Sequence, residues 1–410
     1  MLVKRTLLFE NQELLDFEVD FATCEIRVLD APGADDALLC SLGLGGPDRD
    51  AFVAESIRVR CMSEKREDAK RILGAFGARS TLELAFKGHG LSLTDKLWYR
   101  VPGTAERWED VNFFDNDWDA SFCEAVLTRD YERLASCSPD VPDVTTGGRT
   151  GKAWERMEDG THLLKEPLFE NGHDLAGDRL AAELCGLLYG QDAHQPLNVV
   201  ERFGRRFSSS PLMLGRDEEL VQNPRLFAMG GFGMDDAMRL TGPLSSQGYA
   251  DVITRAGVPD VLACLARMFA FKVLALVVDM HPGNYGVIRN IETGACRAAP
   301  PFDYERSFGF LSKNFPLEAM CKNPGLASLL CAKEFSGLDS SWDWSWYDPQ
   351  KLSGFEGRIE EAYASFSDLP AGFGGLVARL FAVQRDYVNE VALRSQTARH
   401  PETRNPWKKP

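Results

Sequence analysis

VVDMHPGNYGVI, residues 277–288, follows the apolar run 261–278 and crowds Asp279, His281 and Asn284 into the place where a core helix should end. Pro282 and Gly283 force the chain out of helix, so Asn284 is expected on an irregular loop. A strand-like run (YGVI), a turn (RNIETGA) and the segment CRAAPPFDYERSFGF come next, and the last of these presents Asp303. An Asp at a helix end, an Asn five residues on and a second Asp beyond a hairpin suit phosphoryl transfer. One Asp accepts the nucleophile's proton, while the Asn and the other Asp hold Mg²⁺ through hard oxygen ligands. Alone, D-x-H-x-x-N also describes a polar turn with Asx-type caps, and a single His281 fits loop support better than proton transfer.

Upstream residues supply what that chemistry needs at a nucleotide's phosphates. TTGGRTGKAW carries Gly147, Gly148 and Gly151 at the start of a predicted strand, and HLLK places Lys165 at the close of the next. A helix is expected over 174–189, with Leu180, Leu184, Leu187 and Leu188 on one face and Glu183 beside them, placed to hold Lys165. QPLNVVERFGRRFSSSPLML then reads as a hairpin turning near Gly204. The loop lacks the GxxxxGK[ST] spacing of a Walker A motif. The order is glycine-rich turn, strand lysine, helix glutamate, hairpin, and then a helical half with D…N…D.

Elsewhere the chain reads as mixed. Residues 1–135 suggest a mixed α/β region, with LLDFEVDF, SIRVRCM and LELAF as strand-like runs and KREDAKRILGAFG as a helix. SCSPDVPDVTTGG, 136–148, is the best linker candidate. Long helical patterns cover 259–278, 355–366 and 374–396, and the polar tail 397–410 is expected to be mobile. The expected divisions are therefore 1–135, 136–235, 236–396 and the tail. The formal charge of −15 argues against nucleic acid as the main partner. Ten scattered cysteines without a CxxC pair suggest reduced thiols and a cytoplasmic setting. Arg267 and Lys272 make 261–278 a buried helix rather than a membrane span.

From about 136 to 312 the chain resembles the HipA-like serine/threonine kinases, a bacterial toxin-kinase group distantly related to phosphoinositide kinases. The D-x-H-x-x-N of that group is matched by Asp279, His281 and Asn284, its metal-binding Asp by Asp303 in APPFDYE, and its strand lysine by Lys165. The resemblance implies an α+β, bilobal protein-kinase-like fold, with a β-rich N-lobe, a helical C-lobe and the N-terminal region added. It implies ATP over Gly147, Gly148, Lys165 and Glu183, with an adenine hinge at 210–214 that includes Pro211 and Met213; 200–203 is the alternative hinge. Mg²⁺ would sit on Asn284 and Asp303, Asp279 would be the catalytic base, and His281 would support its loop. It further implies a protein substrate, which family analogy links to translation, a neutralising antitoxin partner, and an inhibitory phosphorylation for which Thr145 and Thr146 lie nearest the place and Thr150 is the third choice. Val277, where the group often has a polar residue, and GGRTG, in place of its usual glycine pattern, depart from the family. They keep open a pseudokinase or nucleotide-binding interaction module. A metal-dependent hydrolase on Asp279, His281 and Asp303 is a weaker rival, since such sites use more His and carboxylate ligands.

Overall fold

The structure is a computed structural model that describes residues 2–29, 35–239, 246–277, 279–280, 283–308 and 337–399. Alternating Leu15, Phe17 and Val19 set the inner face of an antiparallel sheet of β1 (Leu2–Phe9), β2 (Gln12–Asp20), β3 (Glu25–Val28) and β4 (Leu97–Arg100), in the order β3-β2-β1-β4. Phe17 meets Tyr99 and Phe86 edge-on. Around this sheet lie α1 (Asp36–Ser41), α2 (Arg49–Val59), α3 (Ala69–Ala75), α4 (Thr81–Lys87), α5 (Trp108–Val111), α6 (Ser121–Thr128) and α7 (Tyr131–Leu134).

Two of the expected strands here are helical. SIRVRCM begins in α2, which buries Phe52, Val53, Ser56 and Ile57, a spacing of four. LELAF lies in α4, where Ser80 accepts from the Glu83 amide at 3.1 Å. The Ser-x-x-Glu pattern that starts a helix was therefore present, and it overrides the β-propensity of a short apolar run.

The second sheet runs β5 (Lys152–Met157), β6 (Gly160–Lys165), β8 (Arg205–Pro211) and β7 (Asn198–Arg202), antiparallel throughout, with α8 (His173–Tyr189) between β6 and β7. Both hairpins form where the sequence places them. Ala153, Leu164 and Phe207 from one face pack with Phe122, Val126 and Leu134 of α6 and α7. The opposite face carries Lys152, Trp154, Leu163 and Lys165. Consequently, 136–148 is not an exposed linker. Val141, Val144, Asp143 and Thr145 are buried, and the Trp154 amide donates to Asp143 Oδ1 at 2.9 Å. Pro and Gly there mark irregular backbone inside a shared core.

The third sheet, β11-β10-β9, joins β9 (Glu218–Val221), β10 (Val287–Asn290) and β11 (Cys296–Ala298). It packs with α9 (Arg225–Met229), α11 (Ser246–Arg255), α12 (Val261–Leu274), α13 (Phe355–Tyr363) and α14 (Phe373–Arg399); α10 (Met234–Arg239) precedes α11. Thus β9 and α9, expected with residues 136–235, belong by pairing and packing to the helical half. In the tail, 397–399 continue α14, and 400–410 lie outside the described residues. No helix among the described residues is long and apolar enough to cross a membrane.

Candidate functional site

A cavity of about 840 Å³ is lined by the uncovered face of the second sheet, the loops around β10 and β11, and residues 56–65 and 92–95 of the N-terminal region. This is within the ~300–1,000 Å³ typical of small-molecule sites. The glycine-rich segment, Lys165, Asp279, Asn284 and Asp303 all line it.

At its centre Lys165 Nζ donates to Asp303 Oδ1 at 3.0 Å, with Glu305 at 3.7 Å. Burial alone would lower the Lys165 pKa, but the two carboxylates outweigh it and hold the ammonium above its ordinary value. Asp303 behaves conversely. Burial pushes its carboxyl up, and Lys165 and Lys152 bring it below the usual range.

The helix ends earlier than the expected 259–278: α12 stops at Leu274, so Asp279 stands on the loop that follows rather than at the helix end. Capped by Ala275, α12 leads to Asp279 through Leu276, which is left-handed at φ +54°. Arg306 and Phe308 are left-handed too, and the Phe308 amide bonds the Ala275 carbonyl at 2.8 Å, holding the two loops together. Three of the nine left-handed non-glycine residues among the described residues thus lie at these two loops. Asp279 Oδ2 pairs with Arg306 Nη1 at 3.0 Å, and Asn284 Nδ2 donates to the Asp279 carbonyl at 2.9 Å. That bond leaves the Asn284 amide oxygen as its ligand-capable end. His281 and Pro282 lie outside the described residues.

Two hard oxygen donors, Asn284 and Asp303, suit Mg²⁺, which keeps waters and phosphate oxygens as its other ligands. No group of three or more metal-binding side chains occurs among the described residues, which do not include His281.

Pro211 and Met213 line the other end of the cavity with Leu163, Leu212, Leu220 and Phe302, an apolar slot suited to a flat base. The Pro211 carbonyl is taken by Gln195 Nε2 at 2.6 Å. Residues 200–203 do not line the cavity.

Glu183 is not where the sequence reading puts it. It pairs with Arg179 at 3.6 Å and Arg358 at 3.5 Å, in a separate cleft with Arg206 and Glu361. The acid that α8 turns toward Lys165 is Asp178, five residues earlier and about 140° around the helix. Asp178 is buried, and burial together with Glu305 and Asp174 raises its carboxyl pKa well above the usual range. The signal was Asp174, Asp178, Ala181, Ala182 and Cys185, a buried stripe at helical spacing in which small residues mark the face of closest approach.

Lys152 was also missed. In the β5–β6 hairpin it lies directly opposite Lys165. Its Nζ has no hydrogen-bond or ion-pair partner among the described residues. Burial, reinforced by Lys165, brings its pKa down to about 8, against the pull of Glu305 and Asp303. A Cβ on Gly148 (φ +95°) would come within 2.2 Å of this ammonium, whereas one on Gly147 would meet nothing within 4 Å. Thr150 Oγ1 donates to Glu305 Oε2 at 3.0 Å, Thr145 is buried against the Leu91 carbonyl, and Thr146 accepts from Trp154 Nε1.

The structural neighbours are bacterial kinases. One is the proinflammatory kinase CtkA of Helicobacter pylori, at 12% identity and TM-score 0.43, covering 60% of this chain and 95% of that one. Another is the Shewanella oneidensis MR-1 toxin–antitoxin system of HipA, HipB and operator DNA, at 11% identity and TM-score 0.49, covering 96% and 99%. No family model and no curated relative matches the sequence. The cavity's own residues carry the functional reading.

Proposed function

We propose that the chain is an ATP- and Mg²⁺-dependent phosphotransferase that modifies serine or threonine in a protein, of the HipA-like kind. The observation that carries this reading is the Lys165–Asp303 ion pair, set in one cavity with Asp279, Asn284 and a glycine-rich segment. The β-rich and helical halves on either side of the cavity correspond to the two lobes of a kinase.

In this reading the base lies in the slot beside Pro211 and Met213, and Lys152 and Lys165 bind the phosphates. Gly148 leaves room for the Lys152 ammonium. Asn284 and Asp303 hold Mg²⁺, which when bound neutralises phosphate charge. Lys165 then exchanges Asp303 for the phosphates, with Asp178 behind it in the place assigned to Glu183. Asp279 orients the acceptor hydroxyl and takes its proton as the oxygen bonds the γ-phosphorus and the ADP oxygen leaves. Positioning and charge complementarity supply most of the rate. A neutralising partner akin to HipB belongs to the same proposal. So does self-modification, for which Thr150 is the hydroxyl that meets the acidic cluster.

One observation favours a second reading, nucleotide binding without transfer: the Asp279 carboxylate is engaged by Arg306. Incubation with γ-labelled ATP and Mg²⁺ separates the two. Wild type should transfer label to itself or to added protein, and Asp279→Ala and Asp303→Ala should not. Thermal stabilisation by ATP with no label transferred would establish the second reading instead.

A further inference from the structure

We propose that the turn joining α2 to α3 is a polypeptide-binding surface for the phosphoryl acceptor, and that it selects segments with an acidic and an apolar residue near the hydroxyl. The proposal rests on the phosphotransferase reading and gives the N-terminal region a role in that reaction.

The first support is position. The cavity wall continues beyond the glycine-rich segment onto Val59, Ser63, Glu64 and Lys65. This turn is fastened to both ends of that segment. The Met62 amide donates to the Val144 carbonyl at 2.9 Å, and Arg66 Nη1 donates to the Lys152 carbonyl at 3.1 Å. Lys152 is one of the two phosphate-binding lysines in that reading, so the bond from Arg66 sets this end of the turn at the phosphates, where the transferred group meets its acceptor.

The second support is rigidity. Arg60, at the start of the turn, is buried on Asp95 and donates to the Gly90 and Leu97 carbonyls. Arg66 is held by Asp68 at 2.6 Å. The residues between them therefore project from a fixed base, and a preformed wall costs less to bind than one that must be ordered.

The third support is what the wall leaves unused. Val59 is 48% exposed, among the few large apolar side chains left so open. Glu64 and Lys65 are exposed, and so is Arg149 on the adjoining glycine-rich segment; none has an ion-pair partner among the described residues. Lys65 and Arg149 against Glu64 leave this mouth positive in a chain of formal charge −15. An apolar side chain beside cations suits a polypeptide bearing a carboxylate and a hydrophobic residue better than a small polar acceptor.

The test is direct binding. A positional set of short fluorescent peptides centred on serine is titrated onto the full chain with Mg²⁺ and a non-hydrolysable ATP analogue. Wild type should prefer peptides with Asp or Glu near the serine. Lys65→Glu should weaken these by about tenfold and favour Lys or Arg instead, and Val59→Asp should erase the apolar preference. Both substituted residues are exposed, and melting temperatures check that the variants fold. Absence of an acidic preference in wild type, or an unchanged profile in Lys65→Glu, overturns the proposal. A loss of nucleotide affinity equal to the loss of peptide affinity does so too, by assigning Lys65 to the phosphates. Peptides that bind and follow the charge at position 65, yet receive no label from γ-labelled ATP, would uphold the surface and sink the phosphotransferase reading.

Discussion

Two buried ionic clusters lie a short distance apart, and they are finished differently. The first ties the N-terminal region to the third sheet. Arg60 and Arg225 share Asp95, and Arg225 and Arg289 share Glu219 at 3.0 and 2.8 Å. Each arginine also donates to main-chain carbonyls: Arg225 to Leu42, Arg289 to Ser41, and Arg60 to Gly90 and Leu97. The second cluster, at and behind the cavity wall, pairs Lys165 with Asp303 and Glu305 but leaves Lys152 and Asp178 without hydrogen-bond or ion-pair partners among the described residues. Buried charge is costly unless it is paired and hydrogen-bonded. A cluster in which every charge has an ion-pair partner therefore reads as architecture, and one that leaves an ammonium and a carboxyl unpaired reads as a place kept for a ligand.

The sharpest way to break this distinction is to cut each cluster and record both stability and transfer. Lys165→Met should lower label transfer by about a thousandfold, at a smaller cost in stability because Lys152 remains to offset the Asp303 charge. Arg225→Met should do the reverse, costing about 3–5 kcal/mol in denaturant unfolding because it removes the one cation that bridges buried Asp95 and Glu219, while the folded fraction keeps its activity. If both variants lost stability alike, the two clusters would be one structural unit.

A second cut lies within α8. Asp178→Asn should reduce transfer by about ten- to a hundredfold, whereas Glu183→Gln should stay within about threefold of wild type. The opposite ranking in steady-state kinetics would return Glu183 to the lysine. Smaller still is the effect at the glycines. Gly148→Ala should weaken nucleotide binding by about tenfold in a fluorescence titration, through its left-handed backbone and the Lys152 ammonium. Gly147→Ala should leave it nearly unchanged.

The smallest effect belongs to Asp143, buried under the start of β5. Burial raises its pKa from 3.8 to about 7, with the Trp154 amide opposing. The folded chain thus holds this proton more tightly than the unfolded chain. The contribution to stability is full below about pH 4 and declines until about pH 7. Asp143→Asn keeps an acceptor for the Trp154 amide and carries no charge. Its melting temperature relative to wild type should therefore rise between pH 5 and pH 8, and a flat difference would show that Asp143 does not titrate there.

Much of this was legible in the sequence because local patterns carried it. The Asp159–Gly160 turn, the alternation along β5 and β6, and the apolar stretch before Asp279 are short-range signals, and the cavity brings Lys165, Asn284 and Asp303 together. What stayed hidden was long-range. LELAF looks like a strand until Ser80 is seen to cap it. Residues 136–148 look like a linker because nothing local says that Phe122 and Phe207 will close over Val144. Glu183 was chosen for its closeness to the leucine stripe, although the face of α8 nearest Lys165 is the one bearing the small residues.

The β5–β6 hairpin has a further consequence, for insertions and deletions. Lys152 and Lys165 share a face because the strands pair evenly about a tight turn, Met157 opposite Gly160. Side chains alternate with a period of two, so one residue gained or lost within either strand would turn its lysine onto the face covered by Phe122 and Val126. The proposed nucleotide site thus depends on the parity of the two strands as well as on their residues. Variation in the length of this hairpin should appear at the Asp159–Gly160 turn, or as paired changes that restore the count.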